Sequence, residues 1–472
     1  MCPEPADRTL RARGSPMAGE PELELGCTLG DVVRLAWPIV SQQLLRTIAI
    51  AFATYTAGCL GPEGTAAMGI AMPISLTIMA LLTGLSVAAI ATVARASGTG
   101  DRLAQETEGA SALLFGALVG AALTPIGIVF LPELAGLFVL DDAPGVEAMV
   151  RSYLRFEGAA LGFAVLDAAA TGVLRGVGRP DISLRMAVTS QALYLPLCWV
   201  LAVGAFGIGP LGLQGLGIAY ALTCALQASL GCWALLGSGS PVRIRLAAFG
   251  RAGRSSLGRL AALAAPGVIE PLIVRSGHLV FTKAITLLGA AELAAHQAAL
   301  SLEAFTSFPG LGFGVAASTL VGQRLGANRP ESAELAIRIT IRIALRSMIA
   351  VGLGFLVFAG PMTGIFLPAG ASSETIVAAT TCLVFVAIEQ PFMGAAMVFA
   401  GALRGAGDTR TPVLAALGGM WLVRIPLTWI LLFEADFGLM GAWIGMLGDW
   451  AFRAAAFRIV LAHGRWRTPT PS

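Results

Sequence analysis

The chain has 472 residues, of which 12% are charged and 56% are hydrophobic, and its formal net charge is +3. A soluble domain carries roughly 25% charged residues, so this chain has too few charges to cover itself in water. A net charge this small does not favour nucleic-acid binding. The composition therefore predicts an integral membrane protein, and we expect no nucleic-acid partner.

The first thirty residues differ from the rest of the chain. They are polar, rich in proline and glycine and of mixed charge, and they lack the apolar core of a signal peptide. We therefore expect residues 1–30 to be a disordered amino terminus that stays in the cytoplasm.

Twelve apolar segments follow, and each is long enough to cross a bilayer, which takes about twenty residues. They are residues 32–57, 65–93, 109–131, 147–171, 183–205, 212–236, 259–285, 294–321, 335–359, 375–402, 411–433 and 438–461. The segments predict an all-α integral membrane protein with about twelve transmembrane helices.

The loops between these spans alternate in basic content. The loops after the second, fourth, sixth, eighth and tenth spans each carry arginine, as in Arg95 with Arg102 and Arg404 with Arg410. The loops after the odd-numbered spans contain no lysine or arginine. Because basic loops stay in the cytoplasm, we expect a multi-pass protein of the inner (plasma) membrane with both termini cytoplasmic.

The second half of the chain repeats the first. Pro38 recurs as Pro266 (266 − 38 = 228), and Arg175 recurs as Arg404 (404 − 175 = 229), within a repeated Leu-Arg-Gly-x-Gly motif. Six spans per half preserve the orientation of the repeat, so the halves are parallel. Internal repeats of this kind are typical of secondary transporters, with a substrate site near the bilayer midplane.

The repeat sets the domain boundaries. We expect two pseudo-symmetric six-helix lobes at residues 31–236 and 259–462, with a cytoplasmic linker at 237–258 and a cytoplasmic tail at 463–472. The linker contains glycine, serine and four arginines, and the charge alternation places it on the cytoplasmic side.

Several segments resemble one known transporter family. They are Ala36-Trp37-Pro38, Ala66-Ala67-Met68-Gly69, Ala294-Ala295-His296-Gln297, Pro309-Gly310-Leu311-Gly312-Phe313 and Gly401-Ala402-Leu403-Arg404-Gly405-Ala406-Gly407-Asp408. With their order and spacing, they make the chain resemble the multidrug and toxic compound extrusion (MATE) family of cation-coupled exporters from Asp31 to about His463. The resemblance implies two six-helix bundles around a central cavity and a small-molecule substrate. It implies no cofactor beyond H+ or Na+ as the coupling ion. We expect a monomer in the lipid bilayer.

The chain departs from the family where acidic residues are concerned. Alignment places Ala53, Leu195 and Met393 at three positions where family members carry an aspartate. None of those three family sites can be transferred to this chain.

Three acids within predicted spans of the second half are the main candidates. They are Glu270, Glu303 and Glu389. An ionisable group at that depth is costly unless it faces a bundle interior or water, so each is a candidate for cation coupling. Carboxylate oxygens suit Na+ as well as H+, and Glu270 with Glu303 is a candidate Na+ site. The alternative is that each acid pairs with a neighbouring helix and is structural.

The remaining polar residues in the spans are candidates for the substrate cavity: Gln42, Arg46, Arg275, His278 and His296. Glu270 is the repeat counterpart of Gln42 (270 − 42 = 228), so one lobe is acidic where the other is neutral. This asymmetry favours a single coupling site in the second lobe. Glu157 and Asp167 are weaker candidates in the first lobe, where either could neutralise Arg46.

These observations favour a secondary active efflux transporter. It would exchange H+ or Na+ for an organic substrate by alternating access, and the resemblance makes a cationic, drug-like or metabolite substrate the expectation. A lipid-linked precursor flippase is the alternative, and it would need a cationic cavity, for which Arg46, Arg275 and Arg424 are candidates. An intramembrane enzyme is a remote alternative, because the sequence has no His-Glu-x-x-His or Gly-x-Ser-x-Gly motif.

Overall fold

The computed structural model describes residues 28–138, 144–207, 209–237, 240, 243–366 and 372–467. Within those ranges the chain forms twelve long helices and no β-strand. They are α1 (Leu29–Gly58), α2 (Pro62–Gly98), α3 (Arg102–Glu133), α4 (Pro144–Gly176), α5 (Pro180–Gly204), α6 (Leu213–Leu236), α7 (Arg254–Thr286), α8 (Ala290–Gly326), α9 (Pro330–Phe366), α10 (Ser373–Gly405), α11 (Arg410–Glu434) and α12 (Gly438–Ala462).

The all-α membrane fold predicted from the sequence is confirmed. In the described part of the chain, eleven helices are long and apolar enough to cross a membrane. The twelfth, α12, is 25 residues long but carries Asp449 and Arg453 in its middle. Residues 1–27 and 468–472, which include most of the expected disordered terminus and half of the tail, lie outside the described residues.

The helices pack through small residues. A Cβ atom added to Gly120 on α3 would lie 2.8 Å from the carbonyl oxygen of Gly162 on α4, and one added to Gly158 would lie 2.4 Å from the carbonyl oxygen of Gly127. In a membrane, close backbone approach replaces the hydrophobic effect as the force between helices. This explains why 58 glycines occur in a chain that is otherwise helical.

The repeated Leu-Arg-Gly-x-Gly motif ends α4 and α10 in the same way. Gly178 and Gly407 adopt φ values of 86° and 90°, which suit glycine. The amide of Arg179 then donates to the carbonyl of Leu174 at 2.8 Å, and that of Asp408 donates to the carbonyl of Leu403 at 2.9 Å. This is the glycine-terminated helix end that satisfies the last carbonyls, and it places Arg175 and Arg404 in the final turns.

The fifth helix of each lobe is irregular. In α5, Pro196 precedes a π-helical turn at Val200–Gly204, and in α11 π-helical turns at Gly418–Arg424 and Ile430–Glu434 flank Pro426. Proline removes a backbone donor, and the wider turns redistribute the remaining hydrogen bonds. The first of the two π-helical turns in α11, Gly418–Arg424, carries Arg424.

Short helices occur in both segments that flank the second lobe. The predicted linker at 237–258 contains a short helix at Leu246–Phe249, and α7 begins at Arg254 because Gly253 provides an extended cap. In the tail, Trp466 is 8% exposed and packs into the cluster around Val32 of α1.

The lobes meet at the end of the molecule that carries the arginine-rich loops. A Cβ on Gly98 of α2 would lie 1.9 Å from the carbonyl oxygen of Gln323, and one on Gly326 of α8 would lie 2.0 Å from that of Arg95. These are two copies of one contact, because Gly98 and Gly326, like Arg95 and Gln323, are repeat counterparts (326 − 98 = 323 − 95 = 228).

Two side-chain hydrogen bonds reinforce this contact. Arg95 Nη2 donates to the carbonyl of Ala406 at 2.9 Å, and Gln323 Nε2 donates to the carbonyl of Gly176 at 3.0 Å. Each crosses from one lobe to the helix end of the other. We refer to Gly98, Gly326, Arg95 and Gln323 together as the latch.

Candidate functional site

The polar side chains inside the helices form two separate sites. One, the carboxyl cluster, lies in the second lobe and consists of Glu303, Glu389, Arg424, Asp449 and Arg453. The other is a cavity inside the first lobe. The two sites differ in charge arrangement and in exposure, and we describe them in turn.

Glu303 of α8 and Glu389 of α10 interact directly in the carboxyl cluster. Glu389 is 0% exposed and Glu303 is 8% exposed. Within the described chain, both oxygens of Glu389 and one oxygen of Glu303 meet no hydrogen-bond donor. Two carboxylates cannot both be charged at such close range without repulsion, so the pair needs a shared proton or a bound cation.

The two arginines of the cluster, Arg424 and Arg453, both form ion pairs with Asp449. Arg424 Nη2 lies 2.9 Å from Asp449 Oδ2, and Arg453 Nη2 donates to the same oxygen at 2.9 Å. Arg424 also acts electrostatically on both glutamates. Its Nε and Nη1 atoms have no hydrogen-bond partner in the described residues. With Glu303 and Glu389 both charged, the cluster has three acids and two bases, which leaves a net charge of −1.

Aromatic rings and two histidines border the cluster. His296 is 1% exposed between the rings of Phe281 and Trp443, each at a centroid distance of 5.6 Å. Phe281 also packs under the Arg424 guanidinium at 5.5 Å. His278 contacts the edge of Phe281 from the same helix. These rings exclude water and strengthen the electrostatic interactions inside the cluster.

Glu270 lies apart from this cluster, in an ion pair with Arg404. Arg404 Nη2 donates to Glu270 Oε1 at 2.8 Å and to Oε2 at 2.7 Å. The first lobe has the matching contact, in which Arg175 Nη2 donates to Gln42 Oε1 at 2.6 Å. The arginines of the repeated motif therefore face into their lobes.

The first-lobe cavity encloses about 210 Å³ between α1, α2, α4, α5 and α6. Its polar lining consists of Gln42, Gln43, Arg46, Ser75, Tyr153, Glu157, Asp167, Thr171, Arg175, Gln191, Tyr194, Tyr220, Thr223 and Gln227. Apolar side chains such as Ala49, Ala53 and Leu76 complete its wall. Such a mixture of an apolar wall with a few polar groups is typical of a small-molecule site.

Neutral donors hold the two acids of the cavity. Ser75 Oγ donates to Glu157 Oε2 at 2.6 Å, and Gln227 Nε2 donates to Asp167 Oδ2 at 3.1 Å. Ser75 is the repeat counterpart of Glu303 (303 − 75 = 228), so the same position of the second helix in each lobe contacts an acid of the fourth.

The candidate residues predicted from the sequence thus fall into separate groups in the structure. The fold brings Glu303 and Glu389 together, and it lines the first-lobe cavity with Gln42 and Arg46. Arg275 is exposed, while His278 and His296 border the carboxyl cluster. Asp449 and Arg453 were not among the candidates, although their position in the middle of an apolar span is the same signal that identified Glu389.

No group of three or more His, Cys, Asp or Glu side chains in the described residues could hold a metal ion. The carboxyl pair offers two acidic ligands only. This arrangement suits a proton or a monovalent ion better than a tightly held divalent metal.

Comparison with known proteins gives one family. The family model MatE matches residues 38–200 and 266–430, two blocks separated by the offset of the internal repeat. The probable multidrug resistance protein NorM of Bradyrhizobium diazoefficiens is 30% identical over 460 residues, which cover 93% of this chain and 94% of that protein. The protein of the same name from Thermotoga maritima is 25% identical over 445 residues, 92% of each chain.

Solved structures share the fold. A MOP superfamily transporter from Pyrococcus furiosus superposes with a TM-score of 0.84 at 20% identity, covering 93% of this chain and 96% of that one. A multidrug resistance MATE family transporter in an outward-facing conformation gives a TM-score of 0.84 at 20% identity, with coverage of 94% and 96%. At this identity the likeness concerns the arrangement of the helices.

Proposed function

Because this chain belongs to the MATE family of multi-pass membrane transporters, we propose that it is a secondary active multidrug efflux transporter. It exchanges a cation, H+ or Na+, for an organic small molecule by alternating access. The names of the NorM relatives support multidrug efflux. The role is transport across a bilayer rather than catalysis.

The carboxyl cluster is the observation that supports ion coupling. Glu303 and Glu389 are adjacent and buried, and three of their four carboxylate oxygens lack donors in the described chain. Removal from water disfavours the charged form of such a pair, whereas contact with water or a cation favours it again. A lobe that exposes the pair alternately to the two sides of the membrane would therefore load and release one cation per cycle.

We propose that the protein lies in an inner (plasma) membrane that maintains an ion gradient, with its arginine-rich end facing the cytoplasm. Basic loops favour that side. The latch joins the lobes at this end, so the described conformation would be closed toward the cytoplasm. Export requires the latch to open so that substrate can load, and ion binding outside to reset the cycle.

Gradient-driven transport in proteoliposomes tests this proposal. Wild-type protein, Glu303→Gln, Glu389→Gln and Glu374→Gln would be reconstituted, and ethidium movement would be followed under an imposed H+ gradient and, separately, an imposed Na+ gradient. We expect one ion to drive wild-type transport. Both cluster variants should lose at least about tenfold in transport rate. An amide side chain cannot take up a proton and lacks the negative charge that would balance a bound Na+.

Glu374→Gln is the matched control, because Glu374 lies in the exposed first turn of α10, the helix that carries Glu389. It should transport at the wild-type rate. Wild-type protein that moves neither ethidium nor a carboxylate-bearing fluorophore such as dansylglycine under either gradient would contradict the proposed function. Full activity in both cluster variants would contradict the assignment of coupling to this pair.

The flippase alternative receives less support from the placement of the arginines. Arg275 is exposed and Arg424 is paired with Asp449 in the second lobe. Arg46 alone of those three candidates lines the cavity. A pyrophosphate head group would require more positive charge than this cavity supplies, since Glu157 and Asp167 offset Arg46 and Arg175.

A further inference from the structure

Among the charged side chains that line the first-lobe cavity, Arg46 is the one with no oxygen acceptor in the described chain. It forms no ion pair there, and its single polar contact runs from Nη2 to the sulfur of Met79 at 2.6 Å. A thioether is a weak acceptor and carries no charge. A guanidinium has five donors in a planar fork, so most of the donors of Arg46 remain available to the cavity.

The other charged groups of the cavity are already engaged. Asp167 accepts from Thr171 Oγ1 at 3.3 Å and from Gln227, while Glu157 accepts from Ser75. Arg175 is bonded to Gln42, whose amide in turn donates to Ser183 at 2.9 Å. The protein thus supplies donors to both acids and an oxygen acceptor to Arg175, although the Nε of Arg175 has no partner, and it offers Arg46 only the sulfur of Met79.

We propose that Arg46 binds the carboxylate of the transported substrate, so that the first-lobe cavity takes an amphipathic organic acid or zwitterion. This inference rests on the proposed function, and it names the substrate class for the same transporter. The family resemblance alone predicts a cationic substrate.

The chemistry of the cavity fits this substrate class. A guanidinium fork matches a carboxylate with two parallel hydrogen bonds, which are stronger than bonds between neutral groups. The apolar side chains of Ala49, Ala53 and Leu76 can accept the body of an amphipathic molecule. Arg46 forms no direct ion pair in the described residues, so a substrate carboxylate would give its guanidinium a charged hydrogen-bond partner.

The test uses three ligands that share the dansyl fluorophore and differ in charge. Dansylglycine carries a carboxylate, its methyl ester is neutral, and dansylcholine is a cation. Binding to the purified full-length protein would be measured by dansyl fluorescence for wild type, Arg46→Gln and Arg46→Lys. Arg155→Gln is the matched control, since Arg155 is an exposed residue of α4 outside the cavity lining.

We expect wild-type protein to bind dansylglycine at least about tenfold more tightly than either other ligand, as a charge-assisted bidentate contact would give. Arg46→Gln should remove this preference while leaving the affinity for the ester unchanged. Arg46→Lys should retain part of it, because the charge remains but the fork is lost. Arg155→Gln should bind all three ligands as wild type does.

The contradicting results do not depend on any one variant. Wild-type protein that binds the ester or dansylcholine as tightly as dansylglycine, or that binds none of them, would overturn the inference. So would displacement of dansylglycine by inorganic pyrophosphate but not by benzoate, which would indicate a phosphate site of the kind a lipid-linked substrate needs.

Failure of this inference is distinguishable from failure of the proposed function. Ion-driven ethidium transport in proteoliposomes would continue if only the carboxylate preference were wrong. Loss of all gradient-driven transport, with dansylglycine still bound through Arg46, would instead contradict transport and leave the binding site intact.

Discussion

At the residue scale, the two lobes carry different side chains at one pair of equivalent positions. Glu270 and Gln42 are repeat counterparts, and each accepts a hydrogen bond from the arginine of its own Leu-Arg-Gly-x-Gly motif. An amide therefore suffices to hold Arg175, whereas a carboxylate holds Arg404. Both oxygens of Glu270 are occupied by Arg404, so an ion could bind there only by displacing an arginine.

This contact leads to a prediction for Glu270. We expect Glu270→Gln to keep the bond to Arg404, as Gln42 does with Arg175, and to transport within roughly twofold of the wild-type rate. The measurement is gradient-driven dye export in proteoliposomes, with Glu389→Gln as the inactive comparison. The sequence alone placed Glu270 first among the coupling residues, and a collapse of transport in Glu270→Gln would restore it to that role.

Sequence periodicity predicted part of the carboxyl cluster. It placed His296, Glu303 and Ser307 on one stripe of α8, within about 40° at 100° per residue. His296 and Glu303 are buried, whereas Ser307 is only partly buried. The pairing of Glu303 with Glu389 could not be predicted, because it depends on how α8 and α10 are rotated against each other. The inward direction of Arg404 could have been inferred, since Arg175 and Gln42 recur together at nearly the same offset.

At the scale of the elements, α2 and α8 form a symmetric crossing at the latch. Gly98 and Gly326 each lie against a backbone carbonyl of the other helix, and Thr319 Oγ1 donates to the carbonyl of Arg175 at 3.1 Å across the same interface. There is no room for a Cβ atom at either glycine. A methyl group there would force the helices apart and favour the conformation in which this end is open.

We predict that Gly98→Ala opens the latch. Overpacking costs about 1–3 kcal/mol, which corresponds to a shift of roughly fivefold to a hundredfold between the two conformations. Thr319→Cys, in a background without the seven native cysteines, reports the change, because Thr319 is 1% exposed when the latch is closed. Maleimide should label the cysteine introduced by Thr319→Cys faster when Gly98→Ala is also present.

Gly69→Ala is the control for this experiment. Gly69 lies on the same helix, α2, and a Cβ added there meets no atom within 4 Å. It should label at the wild-type rate. Equal acceleration in both variants would mean that labelling reports general loosening of α2, and equal protection would mean that the latch tolerates the methyl group.

At the scale of the whole molecule, the repeat produced two lobes of similar shape and different chemistry. Twelve helices could be predicted from the sequence, since about twenty apolar residues suffice for a span and the loops between them are polar. The family resemblance implies a cavity at the centre of the molecule, and the structure also shows a cavity inside the first lobe. Its location depends on side-chain volumes across five helices, which no periodicity in a single helix reveals.

The separation of the two sites defines what the transporter must do. The cavity with Arg46 lies in the first lobe, and the carboxyl cluster lies in the second. Ion and substrate therefore do not need to compete for one side chain. They can be coupled through the latch and the packing of α1 and α2 against α7 and α8, if each ligand binds one of two lobe arrangements more tightly.

Substrate-driven ion movement tests this account most directly. Proteoliposomes with wild-type protein, an entrapped pH-sensitive or Na+-sensitive dye and no initial ion gradient would receive an inward gradient of transported substrate. We expect substrate that enters the vesicles to drive H+ or Na+ out, and we expect Glu389→Gln to abolish this ion flux. Substrate uptake with no movement of either ion would identify a facilitator and contradict cation exchange.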